Sequence, residues 1–173
     1  MTEWKMLTLV GQDKPGIVAN ITTALFDVGA QLGEASMMRL GGNFTIMLMV
    51  KAEQSIEQLN EAIAPVVNEL NLSSSFEPID ACLHQHEQSD TRITVYGADR
   101  PGIVAKATSH LLAAGFNILD LESDVAGDEM APIYVMHIEG IAEQGEQALA
   151  HAVEQIKNNG VNIDVMPIEL MIG

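Results

Sequence analysis

Two stretches of this chain carry the same short run of residues after an aspartate. They are Asp13-Lys14-Pro15-Gly16-Ile17-Val18-Ala19 and Asp99-Arg100-Pro101-Gly102-Ile103-Val104-Ala105. Each run leads into apolar residues at helical spacing, so each reads as a loop that feeds a helix N-terminus. The first N–H groups of a helix have no partner within it and carry partial positive charge. Gly16 and Gly102 have no side chain, which lets a ligand approach the backbone closely. Such a loop suits a carboxylate. Asp13 and Asp99 supply a negative charge beside it, able to receive an ammonium group. The combined chemistry is that of a pocket for a zwitterion. The same residue types also make ordinary turns and helix caps, so the motif has a purely structural reading too.

Other chemistry has less support. Cys82-Leu83-His84-Gln85-His86 places three potential metal ligands at alternate positions, all on one side if the segment is extended. The segment is polar, lacks a fourth ligand and reads as linker, so no metal is assigned. No Ser/His/Asp or Cys/His arrangement falls on matching loop ends. Neither of the two common phosphate-cradling glycine motifs is present. His110 and His137 have no counterpart in the other half of the chain. A small hydrolase would want an anion-binding arginine in the first loop. Arg100 stands in that place, but its counterpart is Lys14 and a proline follows each, which suits exposed rim positions. No catalytic residue and no cofactor are assigned.

The elements around these loops repeat as well. Leu7–Gly29 and Ile93–Gly115 align without a gap, with matched residues 86 positions apart. Alternating apolar residues before each loop predict a strand. Pro15 and Pro101 suit the first helical position, where a missing N–H costs nothing. Gly29 and Gly115 fall where a helix ends on a left-handed residue. Further strands are expected near 31–40 and 44–50, and near 117–125 and 133–138. Leu40-Gly41-Gly42-Asn43 reads as a tight hairpin turn, and its counterpart is a longer acidic connection through Gly127-Asp128-Glu129. Ser55 with Gln58 is a capping box that opens a second helix, and Pro65 is expected to kink or shorten it. A matching helix carries Leu149, Ala152, Val153 and Ile156. Last strands are expected near 74–79 and 161–168.

The order is βαββαβ, twice. The fold class is α+β: two ferredoxin-like units, each a four-stranded antiparallel sheet with two helices on one face. The expected division is 1–80, a polar linker 81–90, and 91–173. Phe44–Val50 is apolar at nearly every position, so both sheet faces there call for cover. Either the two units or two chains are expected to pack together.

The chain has 173 residues, with 8 Lys+Arg against 24 Asp+Glu and a formal net charge of −16. Nucleic-acid binding depends on cations that displace counterions from phosphates, so direct contact with nucleic acid is not expected. One cysteine excludes an internal disulfide framework and fits a reducing compartment. No apolar run reaches the roughly 18 residues of a membrane span. A soluble, cytoplasmic protein with no membrane partner is expected.

The Gly-x-Asp-x-Pro-Gly-Ile-Val loop, the helix ending in glycine and the βαββαβ order resemble the ACT domain. This small regulatory fold usually binds amino acids, and the resemblance covers both units. It implies a ligand held between the first loop of one unit and the start of the second strand of a neighbouring unit. By position, that implicates Asp13, Gly16, Ile17, Gln31 and Leu32, and Asp99, Gly102, Ile103, Asn117 and Ile118. An amide just after the helix is common in such sites; Asn117 supplies one, and Gln31 a longer version. The resemblance further implies a small amino acid as ligand, glycine among the candidates, and a homo-oligomer. Its action would run through a protein partner such as a DNA-binding transcriptional activator. Two other classes stand beside this non-enzymatic sensor: a ligand-free dimerisation module, and a small hydrolase on the same fold.

Overall fold

The computed structural model describes residues 3–80, 87–98, 101–127, 132–158 and 160–168. Cys82, His84, His86, Asp99 and Arg100 lie outside the described residues. The chain forms two compact units, Met1–Gln85 and His86–Gly173.

In the first unit the elements are β1 (Trp4–Gln12), α1 (Ile17–Asp27), β2 (Gln31–Leu40), β3 (Asn43–Lys51), α2 (Ile56–Leu70) and β4 (Ser73–Pro78). The second unit holds β5 (Thr91–Ala98), α3 (Ile103–Ala113), β6 (Phe116–Ala126), β7 (Ile133–Ala142), α4 (Glu146–Lys157) and β8 (Asn162–Pro167). The sheet orders are β2-β3-β1-β4 and β6-β7-β5-β8, with every neighbour antiparallel. This is the βαββαβ arrangement expected from the sequence.

Local chemistry sets the boundaries. Gly41 and Gly42 both take positive φ, 56° and 75°, and join β2 to β3 in a two-residue turn. After α1 the Gly29 N–H donates to Phe26 O (2.8 Å) and the Ala30 N–H to Leu25 O (3.0 Å). That closes the helix on a left-handed glycine. Ser55 and Gln58 form the reciprocal capping box of α2.

Two expectations at prolines are corrected. Pro15 and Pro101 stand before the helices rather than at their first position. The left-handed Gly16 and Gly102 take the N-cap place, and the helices start at Ile17 and Ile103. Pro65 does not shorten α2, which runs unbroken to Leu70. Pro65 is exposed, as is Glu61 one turn earlier, so the carbonyl that loses its partner lies on the water side. Leu59 and Ile63, on the opposite face, are fully buried and hold the helix to the sheet.

Each unit has one core. In the first, Leu7, Leu9, Phe44, Ile46, Leu48, Val50 and Phe76 of the sheet meet Ile17, Ile21, Leu25, Leu59 and Ile63 of the helices. In the second, Ile93, Val95, Met136, Ile138 and Ile163 meet Ala107, Leu111, Leu149, Ala152 and Ile156. The cores differ on their last strands, where Ser74 opposite Leu9 is exposed and Ile163 opposite Val95 is buried, and where the next pair reverses this. Phe76 pairs with Leu7 and is 5% exposed, whereas Val165 pairs with Ile93 and is 39% exposed. A cleft of about 430 Å³ opens there beside Leu149 and Val153 of α4.

The two-sided apolar character of β3 has a physical outlet. Met49, on the face away from the helices, is buried at 7% exposure. It shares that face with Trp4, whose ring crosses so close to Gly33 that a Cβ there would fall 2.8 Å from it and 3.2 Å from Met49 Cβ. Met47 on the same face stays 48% exposed between Thr8 and Ser36, and Val10 and Met38, also exposed, flank Thr45 two residues earlier. The corresponding face of the second unit carries Arg92, Glu139, His137, Glu122 and Asp120 instead.

Candidate functional site

The two expected loops are built alike. Gly16 has φ 91° and Gly102 φ 86°, values natural only to glycine. No side chain among the described residues caps either helix. The first ladder bonds run from Asn20 N–H to Gly16 O (2.9 Å) and from Lys106 N–H to Gly102 O (3.0 Å). The three N–H groups between cap and ladder in each helix are the donors a carboxylate could meet.

In the first loop Asp13 already has partners. Its carboxylate accepts from Arg39 Nε at 3.1 Å, and its N–H donates to Gly42 O at 3.1 Å. Both contacts tie the loop to the β2–β3 hairpin. Lys14 Nζ donates to Leu70 O at the end of α2 (3.0 Å), which fixes the loop from the other side. The Ile17 side chain is 2% exposed in the core, so it can offer a ligand only its N–H. Ile103 packs against the second core but is only partly buried.

Gln31 and Leu32 are not brought to this loop within the unit. Gln31 pairs with Lys51, which pairs with Trp4, at the start of β1. The loop leaves the other end of β1, after Gln12. Eight residue steps along a strand span about 26 Å. The second unit repeats the separation: Asn117 and Ile118 pair with Ile141 and Gly140, and Gly140 pairs with Thr91 at the start of β5. Gly102 follows the far end of that strand. Each unit therefore carries one half of the expected site at each end of its sheet.

The Asn117 half lies in a cleft. This cleft of about 530 Å³ is lined by Thr108, Ser109, Leu112, Gly115, Asn117 and Glu143, with Phe116 and Ile118 beside them. Thr108 and Ser109 donate their hydroxyl protons to Val104 O (2.9 Å) and Ala105 O (2.6 Å), which leaves their oxygens only acceptor capacity. Asn117 Nδ2 donates to Glu87 Oε2 at 3.1 Å. Gly140 sets the height of the Asn117 backbone, because any Cβ there would collide with Asn117 O.

Among the described residues no group of three or more His, Cys, Asp or Glu side chains could hold a metal ion. His137 Nδ1 lies 3.1 Å from Thr94 Oγ1 on the exposed face of the second sheet. No helix among the described residues is long and apolar enough to cross a membrane.

The sequence reading missed Thr108, Ser109, Glu143 and Glu87. A signal for Glu143 was present. Ala52-Glu53-Gln54 recurs as Ala142-Glu143-Gln144, after the third strand of each unit. The glutamines act alike: Gln54 Nε2 donates to Val28 O at the end of α1, and the Gln144 side chain packs against Gly115 at the end of α3.

Models of the ACT domain match the chain twice, at residues 6–77 and 91–158. The glycine cleavage system transcriptional repressor of Escherichia coli (strain K12) is 26% identical over 151 residues, spanning 87% of this chain and 80% of that protein. A solved structure of a protein described as unknown, from Galdieria sulphuraria, superposes with a TM-score of 0.77. It is 22% identical, over 98% of this chain and 100% of that one. A second solved structure, provisionally assigned as a glycine cleavage system transcriptional repressor, gives 0.69 at 16% identity, over 98% and 99%. The two structural likenesses establish the fold.

Proposed function

The chain belongs to the ACT domain family, in two tandem copies, and from that premise we propose that it is an amino-acid-responsive regulator with no catalytic activity of its own. The observation that carries this reading is the pair of uncapped, glycine-headed helix N-termini, Gly16-Ile17 and Gly102-Ile103. Each would hold the ligand carboxylate on its N–H groups. The other half of each site is the start of the second strand of a further unit: Gln31 and Leu32, or Asn117 and Ile118. Asp13 and Asp99 are the proposed acceptors for the ammonium. The domains are taken as 1–80 and 91–173, joined by 81–90.

Similarity to the E. coli repressor makes glycine the first ligand to test. The same similarity supports a role in transcription, and a net charge of −16 argues that it runs through a protein rather than through DNA. A DNA-binding activator in the cytoplasm is the proposed partner. Because the half-sites lie at opposite ends of each sheet, the protein is proposed to work as a homo-oligomer. Ligand shared between two units would favour the arrangement that closes the site, and so change affinity for the partner.

A second reading is favoured at the first loop. Asp13 is already paired with Arg39, which suits a ligand-free dimerisation unit there. A thermal-shift titration with the twenty amino acids separates the two. A rise in melting temperature with glycine or another small amino acid is expected. A flat response to all twenty would leave the dimerisation module as the better account.

A further inference from the structure

Asn117 is not vacant. Its Nδ2 donates to the Glu87 carboxylate at 3.1 Å, and Glu87 belongs to the segment that enters β5. That segment is anchored three residues later. The Asp90 N–H donates to Gly140 O (3.0 Å), Asp90 O accepts from the Ile168 N–H (2.7 Å), and Asp90 Oδ1 accepts from Thr91 Oγ1 (2.7 Å) and the Ala142 N–H (3.3 Å). Asp90 is thus fixed to the sheet beside the cleft. Glu87 hangs from that anchor on a tether of two residues, Gln88 and Ser89, and is itself exposed. A carboxylate on a short tether, placed on an amide donor at a cleft lip, has the chemistry of an amino acid's carboxylate.

We infer that Glu87 is a built-in competitor: its carboxylate holds the Asn117 amide until a ligand carboxylate displaces it. The inference rests on the proposed reading of Asn117 as a ligand contact. Displacement frees residues 87–89 down to the Asp90 anchor. These residues follow directly from the link to the first unit, so occupancy of the cleft is coupled to the chain that joins the units.

The test is calorimetric titration of the full chain with glycine, comparing the wild type with Glu87→Ala, Glu87→Gln and Glu87→Ala/Asn117→Ala. An exposed hydrogen bond of this kind sets the scale, so Glu87→Ala is expected to bind glycine about two- to tenfold more tightly than wild type. Glu87→Gln keeps an acceptor without the charge and is expected to fall between them. The double variant is expected to lose the gain. Binding only by Glu87→Ala, with none by wild type, also supports the competitor. Unchanged affinity with a wild type that binds overturns the inference and leaves the sensor reading standing. Weaker binding by Glu87→Ala overturns it too, by making Glu87 a ligand contact for the ammonium. Failure of wild type and all variants to bind removes both the inference and the glycine reading beneath it.

Discussion

Alanine at Gly16 separates backbone strain from ligand contact, provided Gly29 is changed in parallel. Both glycines bracket α1 and both are left-handed, with φ of 91° and 76°. A new Cβ meets only the Asn20 side chain at 3.6 Å in the first case and nothing within 4 Å in the second. Neither substitution therefore clashes. An L-residue in this region costs about 1–2 kcal/mol. The loss of unfolded-chain freedom on replacing glycine returns roughly 0.4–1 kcal/mol. Both variants should be destabilised by about 0.5–1 kcal/mol net, which for a unit of this size lowers the melting temperature by about 2–8 °C. Their ligand behaviour should diverge. A methyl group at the N-cap stands in the approach of a carboxylate to the helix amides. Loss of even one charge-assisted hydrogen bond, about 1.5–3 kcal/mol, weakens binding at least about tenfold. Urea melts and calorimetry with the amino acid giving the largest thermal shift measure both quantities. Gly102→Ala, run alongside, reads the second loop. Equal affinities for Gly16→Ala and Gly29→Ala would refute the helix N-terminus as the carboxylate seat in the first unit.

Two further outcomes follow from single contacts. Arg39→Ala breaks an ion pair whose side chains are 66% and 31% exposed, so stability in urea should move by less than about 0.5 kcal/mol. It releases the Asp13 carboxylate, so amino-acid affinity at the first loop should rise; a fall would assign Arg39 itself to the ligand. Val165→Phe copies Phe76 into the second unit and fills part of its 430 Å³ cleft. It should raise the unfolding midpoint of that unit by about 1 kcal/mol of added apolar burial; a lowered midpoint would mean that α4 cannot admit the ring.

What the sequence revealed was local chemistry, repeated. The glycine after each first helix, the Gly41-Gly42 turn and the Ser55/Gln58 box all act within a few residues, and each was found where expected. Pro15 misled because proline and glycine compete for the start of a helix. The left-handed glycine won, and moved the first helical position one residue beyond the cap. Pro65 does not shorten α2 because its cost depends on what the opposite face buries. The Asp13–Arg39 and Asn117–Glu87 contacts span 26 and 30 positions. No local pattern marks them, since sheet pairing and chain tethering create them. Glu143 was hidden for another reason. Residues are 86 apart at the loops but 90 apart after the third strands, because the second unit has a longer β6–β7 connection. A comparison at one fixed offset passes over the second Ala-Glu-Gln.

The placement of each half-site at opposite ends of a sheet has an arithmetic of ownership. On the proposed reading neither unit possesses a whole pocket, so a bound molecule would be held in common by two. Such a molecule acts as a tie, and adds RT ln(1 + [L]/Kd) to whatever already holds the pair together. If the pair belongs to one chain, the response is the same at any protein concentration. If it belongs to two, diluting the protein would blunt the proposed response, and sensitivity would then depend on the abundance of the protein as well as on that of its ligand.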